Sequence, residues 1–186
     1  LSVVIGAVAT CIISVLLVIK LHQETVNTAF VVNTNGSVIP LKLVSQQENL
    51  EVEALAHLEL FHTYFYHIDT SNYEKHLKKA LWLGNSSVDA LYRQKKADGV
   101  YNRLLQYSLV QKVLSIESKI NIQAEPYRFE TKTVFEINRG SIVDSYELIT
   151  TGQLIHVDRN FPNNTHGLLI TNFFENTLRK LDNYEP

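Results

Sequence analysis

The chain has 186 residues, with 17 Lys and Arg against 19 Asp and Glu and a net charge of −2. Binding to nucleic acid or anionic lipid by charge alone needs clustered cations, and the Lys and Arg here are scattered, which argues against that class. Cys11 is the only cysteine, so no intrachain disulfide exists, and the residues beyond the first apolar run suffice for one domain with its own core.

Leu1 to Ile19 contains no charged residue. As a helix it would be roughly 28 Å long, close to the thickness of a bilayer's hydrocarbon core, so residues 1–21 are expected to form a transmembrane helix. The small residues Ala7 and Ala9 lie in the middle of the run rather than after it, the wrong place for signal-peptide cleavage, so the span is expected to be retained. Ser2, Gly6, Thr10 and Ser14 recur every four residues and form one stripe of small side chains, which either packs against another helix in lipid or is merely tolerated there. The sequence contains no methionine and opens inside the apolar run, so a short N-terminal tail is expected to precede it. After Lys20 no Lys or Arg appears until Lys42, which orients that flank away from the cytoplasm by the positive-inside rule.

Residues 22–44 read as a linker carrying a short hairpin. Ala29–Val32 and Val38–Ile39 flank an Asn35-Gly36 turn, and Pro40 confines the second arm to an edge. Residues 45–186 then read as one α+β domain. Ser45 with Glu48 fits a capping box, and Val52, Leu55, Leu58, Phe61, Phe65 and Ile68 follow at helical spacing. Ser71 with Glu74 is a second capping box, opening a helix whose apolar side is Tyr73, Leu77, Ala80 and Leu81 and which Gly84 stops. Ser86–Ala97 and Val100–Tyr107 are two further helices, separated by Asp98-Gly99.

From Leu114 the apolar period changes from that of a helix to that of a strand. Strands are expected from Leu114 to Ile122, from Tyr127 to Ile137, from Ile142 to Val157 with a bulge at Gly152, and from Leu168 to Phe174, with a polar loop at Asp158–Gly167. Asn176–Pro186 is charged and expected to fray. Helices followed by a four-strand meander predict helices packed on one face of a curved antiparallel sheet.

Chemistry is sparse. His57, His62 and His67 are spaced five apart, roughly 140° round a helix, so they cannot converge on one ion and read as solvated helix positions. No nucleophile elbow, phosphate-binding loop or zinc-protease motif occurs, so neither an enzyme nor a bound cofactor is expected. Phe61, Tyr64, Phe65, Tyr66, Phe129 and Phe135 read as core, the alternative being a ligand pocket between helices and sheet. Asn85-Ser86-Ser87 and Asn163-Asn164-Thr165 fit glycosylation sequons and, in the bacterial setting argued next, read as chance matches.

Two stretches carry specific wording. HLELFHTYFYHIDTSNYEKHLKKALWLG (His57–Gly84) and NNTHGLLITNF (Asn163–Phe173) resemble the conjugative-transposon TraK family, which is similar to the VirB-eight-like inner-membrane components of type IV secretion systems. The resemblance implies a short cytoplasmic tail, one span and a periplasmic domain of nuclear-transport-factor-2-like fold. It also implies a partner-contact loop, because VirB-eight-like domains carry an Asn-Pro-x-Gly motif before a late strand. Asn164, Thr165, His166 and Gly167 stand at the matching positions, with Thr165 in place of the proline. An ordinary structural loop is the alternative.

These readings converge on a non-enzymatic scaffold: a bitopic subunit of the bacterial inner membrane, homo-oligomeric, held in lipid by one span and contacting other secretion-channel subunits, without direct nucleic-acid binding. The alternative is a membrane-tethered periplasmic domain that binds or senses a ligand.

Overall fold

A computed structural model describes residues 12–19, 28–32, 38–42 and 46–182. The chain divides into two units, Leu1–Asn49 and Leu50–Pro186.

In the first unit, residues 12–19 form a helix, α1, whose every side chain is exposed. Leu1–Cys11, and with them Ser2, Gly6 and Thr10 of the small-residue stripe, lie outside the described residues; Ser14 lies within α1. Among the described residues no helix is long and apolar enough to cross a membrane. Strands β1 (Thr28–Val32) and β2 (Val38–Lys42) pair antiparallel, with Phe30 opposite Pro40. A sheet of two strands consists only of edges, which is why proline is tolerated there. The Asn35-Gly36 turn and Ser45 lie outside the described residues.

Helix α2 (Gln46–Tyr66) enters the second unit and is its axis. Its buried line is Ala54, Leu58, Phe61 and Phe65, spaced four, three and four apart as one helix face requires. Val52, expected on that face, is 66% exposed, because two residues before Ala54 is the far side of the helix. Helices α3 (Tyr73–Leu81), α4 (Ser86–Ala97) and α5 (Val100–Gln106) follow.

The cap of α3 differs from the capping box read in the sequence. Asn72, not Ser71, precedes α3, and it is the Asp69 carboxylate that accepts from the Ser71 amide and hydroxyl and from the Asn72 amide. An acid just before a helix can satisfy several free amides at once, which a single hydroxyl cannot. At α4 the Asn85 side chain accepts from the Ser87 amide and hydroxyl, so this sequon asparagine is a helix cap.

Four antiparallel strands form a meander: β3 (Val110–Asn121), β4 (Tyr127–Asn138), β5 (Val143–His156) and β6 (Leu168–Leu181). In β4, Tyr127, Phe129, Thr131, Thr133 and Phe135 are buried while Arg128 and Glu130 are exposed, the alternation that reveals a half-buried strand. Register shifts at Gly152, the position read as a bulge, where a Cβ would stand 2.7 Å from the Phe129 ring. Strand β6 continues past Phe174, so the frayed tail expected from Asn176 is instead paired up to Leu181 opposite Ser145. Its charges hold it there: Arg179 bonds Glu147 at 2.9 Å and Lys180 bonds Asp144 at 2.6 Å. Strand β3 likewise starts four residues earlier than read, because Gln111 exchanges two backbone bonds with Ile68 at its free edge.

The core lies between α2 and the sheet. Phe61 meets Phe173 edge to face at 5.0 Å, and Tyr66, Phe135 and Tyr146 form a row of stacked rings. Full burial of side chains of this size stabilises by about 2–3 kcal/mol each. At the other edge of the sheet, Ile170 exchanges backbone bonds with Leu83 and Asn85, and the Phe173 amide donates to the Ser87 hydroxyl. Both edges are thus stitched to the helical layer.

Candidate functional site

The histidines of α2 are not solvated. His57 and His62 are both fully buried, because α2 packs over more of its circumference than its apolar residues alone mark out. The His62 Nδ1–H donates to the Leu58 carbonyl at 2.7 Å, which leaves Nε2 to accept from the Thr150 hydroxyl at 2.8 Å. His57 Nε2 lies 3.4 Å from the Leu83 carbonyl, while its Nδ1 has no partner. Burial holds both imidazoles down at about 4, so each is neutral near neutral pH. Among the described residues no group of three or more His, Cys, Asp or Glu is arranged to hold a metal ion.

His57 forms the floor of the loop from Val157 to Gly167. Its ring lies 5.7 Å from that of His166, whose Nδ1–H donates to the Glu53 carbonyl at 3.0 Å. One turn of α2 therefore holds the loop twice, since the Glu53 carboxylate also takes Arg159 at 2.9 and 3.0 Å. A single guanidinium nitrogen, Arg159 Nη2, reaches both carboxylate oxygens, a charge-assisted contact.

Within the loop, Asn164 is the organising residue. It is buried, donates from Nδ2 to the Leu168 carbonyl at 2.7 Å and accepts at Oδ1 from the Gly167 amide at 3.1 Å. Its backbone exchanges two bonds with Asn160, closing residues 160–164 into a small ring. Gly167 has φ +68°, and an added Cβ would stand 2.8 Å from Arg159 Cγ and 3.0 Å from the Val157 carbonyl. Gly167 thus takes a left-handed, close-approach position suited to glycine, and Asn164 makes side-chain-to-backbone bonds. Thr165 is exposed and His166 half-buried. Phe161, in the same loop, is 86% exposed, the most exposed large hydrophobic side chain among the described residues.

Sequence reasoning missed the Glu53–Arg159 clamp, the buried pair His57 and His62, and Phe161. The clamp joins residues 106 positions apart, which no local pattern marks. An isolated Phe amid Asp158, Arg159, Asn160 and Asn163 was the one available signal for an exposed apolar contact.

No protein-family profile and no curated protein matches the sequence. Two solved structures share the fold. An IcmL-like type IV secretion system protein from Legionella pneumophila aligns over 75% of this chain and 96% of its own, with a TM-score of 0.56 at 10% identity. The soluble domain of TrwG of the type IV secretion machinery from Bartonella grahamii aligns over 71% of this chain and 97% of its own, with a TM-score of 0.55 at 14% identity. At such identities the likeness is one of fold: this chain carries the α+β architecture of helices on a four-stranded antiparallel meander that these two secretion-system proteins also have.

Proposed function

We propose that the chain is a non-enzymatic scaffold subunit of a conjugative type IV secretion system, of the VirB-eight-like and TraK-related kind. Leu1–Ile19 anchors it in the inner membrane, Ser2, Gly6, Thr10 and Ser14 face a second copy, and the domain from residue 45 onward stands in the periplasm. The observation that carries this reading is the completeness of the fold match, which takes in 96% and 97% of two proteins of type IV secretion systems. The loop supports it as well. Asn164, Gly167, Arg159 and His166 spend their bonds on holding a fixed surface, and that surface presents Phe161, an arrangement suited to contact rather than chemistry.

The test is mass spectrometry of whatever co-purifies with the full-length protein, gently extracted from the membranes of its native host. Channel subunits and a secretion ATPase are expected in the eluate; recovery of the protein alone would overturn the scaffold reading. Phe161→Ser is expected to reduce the yield of channel subunits at least severalfold with an unchanged melting temperature, since the side chain it removes touches solvent.

A further inference from the structure

The second unit contains a cavity of about 760 Å³, lined in part by Tyr66 and within the size range of small-molecule sites, roughly 300–1,000 Å³. Leu104 and Leu109 line it from α5 and the segment after it, and Phe135, Ile137 and Leu148 line it from the sheet. The rings of Tyr66, Phe135 and Tyr146 are already stacked on one another, and Leu104, Leu109, Ile137 and Leu148 add aliphatic surface to the lining. Such a wall favours a flexible aliphatic chain over a flat ring that must stack.

The polar groups are distributed unevenly. Inside, Glu175 Oε1 accepts from the Tyr66 hydroxyl and from Lys95, each at 2.8 Å, so this carboxylate and this ammonium neutralise each other. The remaining charged lining groups are Arg103 and Arg139. Arg103 donates to the Asp98 carbonyl at 2.8 Å, an uncharged partner. Arg139 meets Asp144 at 3.2 Å, but that same carboxylate also serves Lys180 at 2.6 Å. On a chain of net charge −2, the cavity therefore has an excess of positive charge with N–H donors to spare.

We infer that this cavity binds an amphiphile with a single alkyl chain and an anionic head, a free long-chain carboxylate, with the head on Arg103 and Arg139 and the chain along Leu104, Phe135 and Leu148. The guanidinium fork suits a carboxylate, and the one other lining cation, Lys95, is already paired with Glu175. This site is independent of the scaffold reading, and its test is separate from the co-purification.

The full chain in discs of zwitterionic lipid is titrated with radiolabelled dodecanoate, with empty discs as the blank. Saturable binding above the blank is expected, displaced by dodecanoate at concentrations at least tenfold lower than by dodecanol. Dodecyl phosphate, standing in for a lipid head group, is the companion competitor; if it outcompetes dodecanoate the source is membrane lipid and the free-carboxylate assignment is overturned. Arg103→Glu and Arg139→Glu both fall on exposed side chains and are expected to retain the melting temperature. Together they should weaken dodecanoate at least tenfold while dodecylamine gains. Equal potency of dodecanol and dodecanoate, unchanged affinity in the charge-reversed protein, or no binding above empty discs would each overturn the inference.

Discussion

His62 is fully buried, and its ring links α2 to the middle of β5 through Thr150. That burial has a pH signature. Folded, His57 and His62 resist protonation down to about 4, whereas unfolded they take up protons near 6.5. The unfolded chain thus binds more protons between those values, so stability is complete above pH 6.5, falls as the pH drops toward 4, and stops falling from this cause below it. The full effect is on the order of 3 kcal/mol per ring. Urea denaturation from pH 7.5 to 4 checks this, and His62→Gln should flatten the slope; a flat profile in the parent would contradict it. Glycines give a second contrast at this scale. Gly140, with φ +83°, has nothing within 4 Å of a would-be Cβ, so Gly140→Ala is expected to cost about 1 kcal/mol. Gly167→Ala meets the same backbone strain plus the Val157 carbonyl, and should cost about 2–3 kcal/mol by the same denaturation assay.

Among elements, the loop from Val157 to Gly167 is joined to α2 by an ion pair that both partners share with solvent, 64% exposed at Arg159 and 41% at Glu53. Exposed pairs contribute about 0–1 kcal/mol, so Arg159→Ala is expected to leave global stability nearly unchanged. Its effect belongs to the loop: amide exchange at residues 160–167 should accelerate while that of β4 stays constant. Equal acceleration in β4 would mean that the clamp supports the whole sheet. Boundaries of elements were legible where a single residue type decides them. Asp98-Gly99 parts α4 from α5 because Gly99 adopts φ +72°, and Asn138-Arg139-Gly140 turns β4 into β5 because Gly140 can do the same. They were not legible where a distant partner decides. Strand β6 reads as a frayed tail beyond Phe174 until Glu147 and Asp144 supply partners for Arg179 and Lys180, more than thirty positions away. Burial of His57 and His62 was hidden likewise, since an imidazole is buried or solvated according to what faces it, and Thr150 faces His62 from 88 residues away.

At the level of the whole molecule, the order of strands was readable because a meander joins only neighbours, so alternation plus turns determines it. The cavity was readable only as the alternative to a core for aromatics such as Tyr66 and Phe135, since its wall also takes in α5, β5 and β6, and no one segment signals the space between them. Completion of the core rests on the last strand: Leu168, Ile170 and Phe173 are each no more than 2% exposed, and each is worth about 2 kcal/mol or more. A chain stopped at Gly167 is therefore expected to lack a cooperative melt, while one stopped at Asp182 keeps it, as read by circular dichroism. The separation between Glu53 and Arg159, and between Phe61 and Phe173, also sets an order in time. During synthesis α2 emerges first and waits, apolar face open, while roughly a hundred residues follow at about 5–20 per second. For that interval of several seconds the nascent domain offers a greasy helix to any holding chaperone, and its release is timed by the arrival of β6.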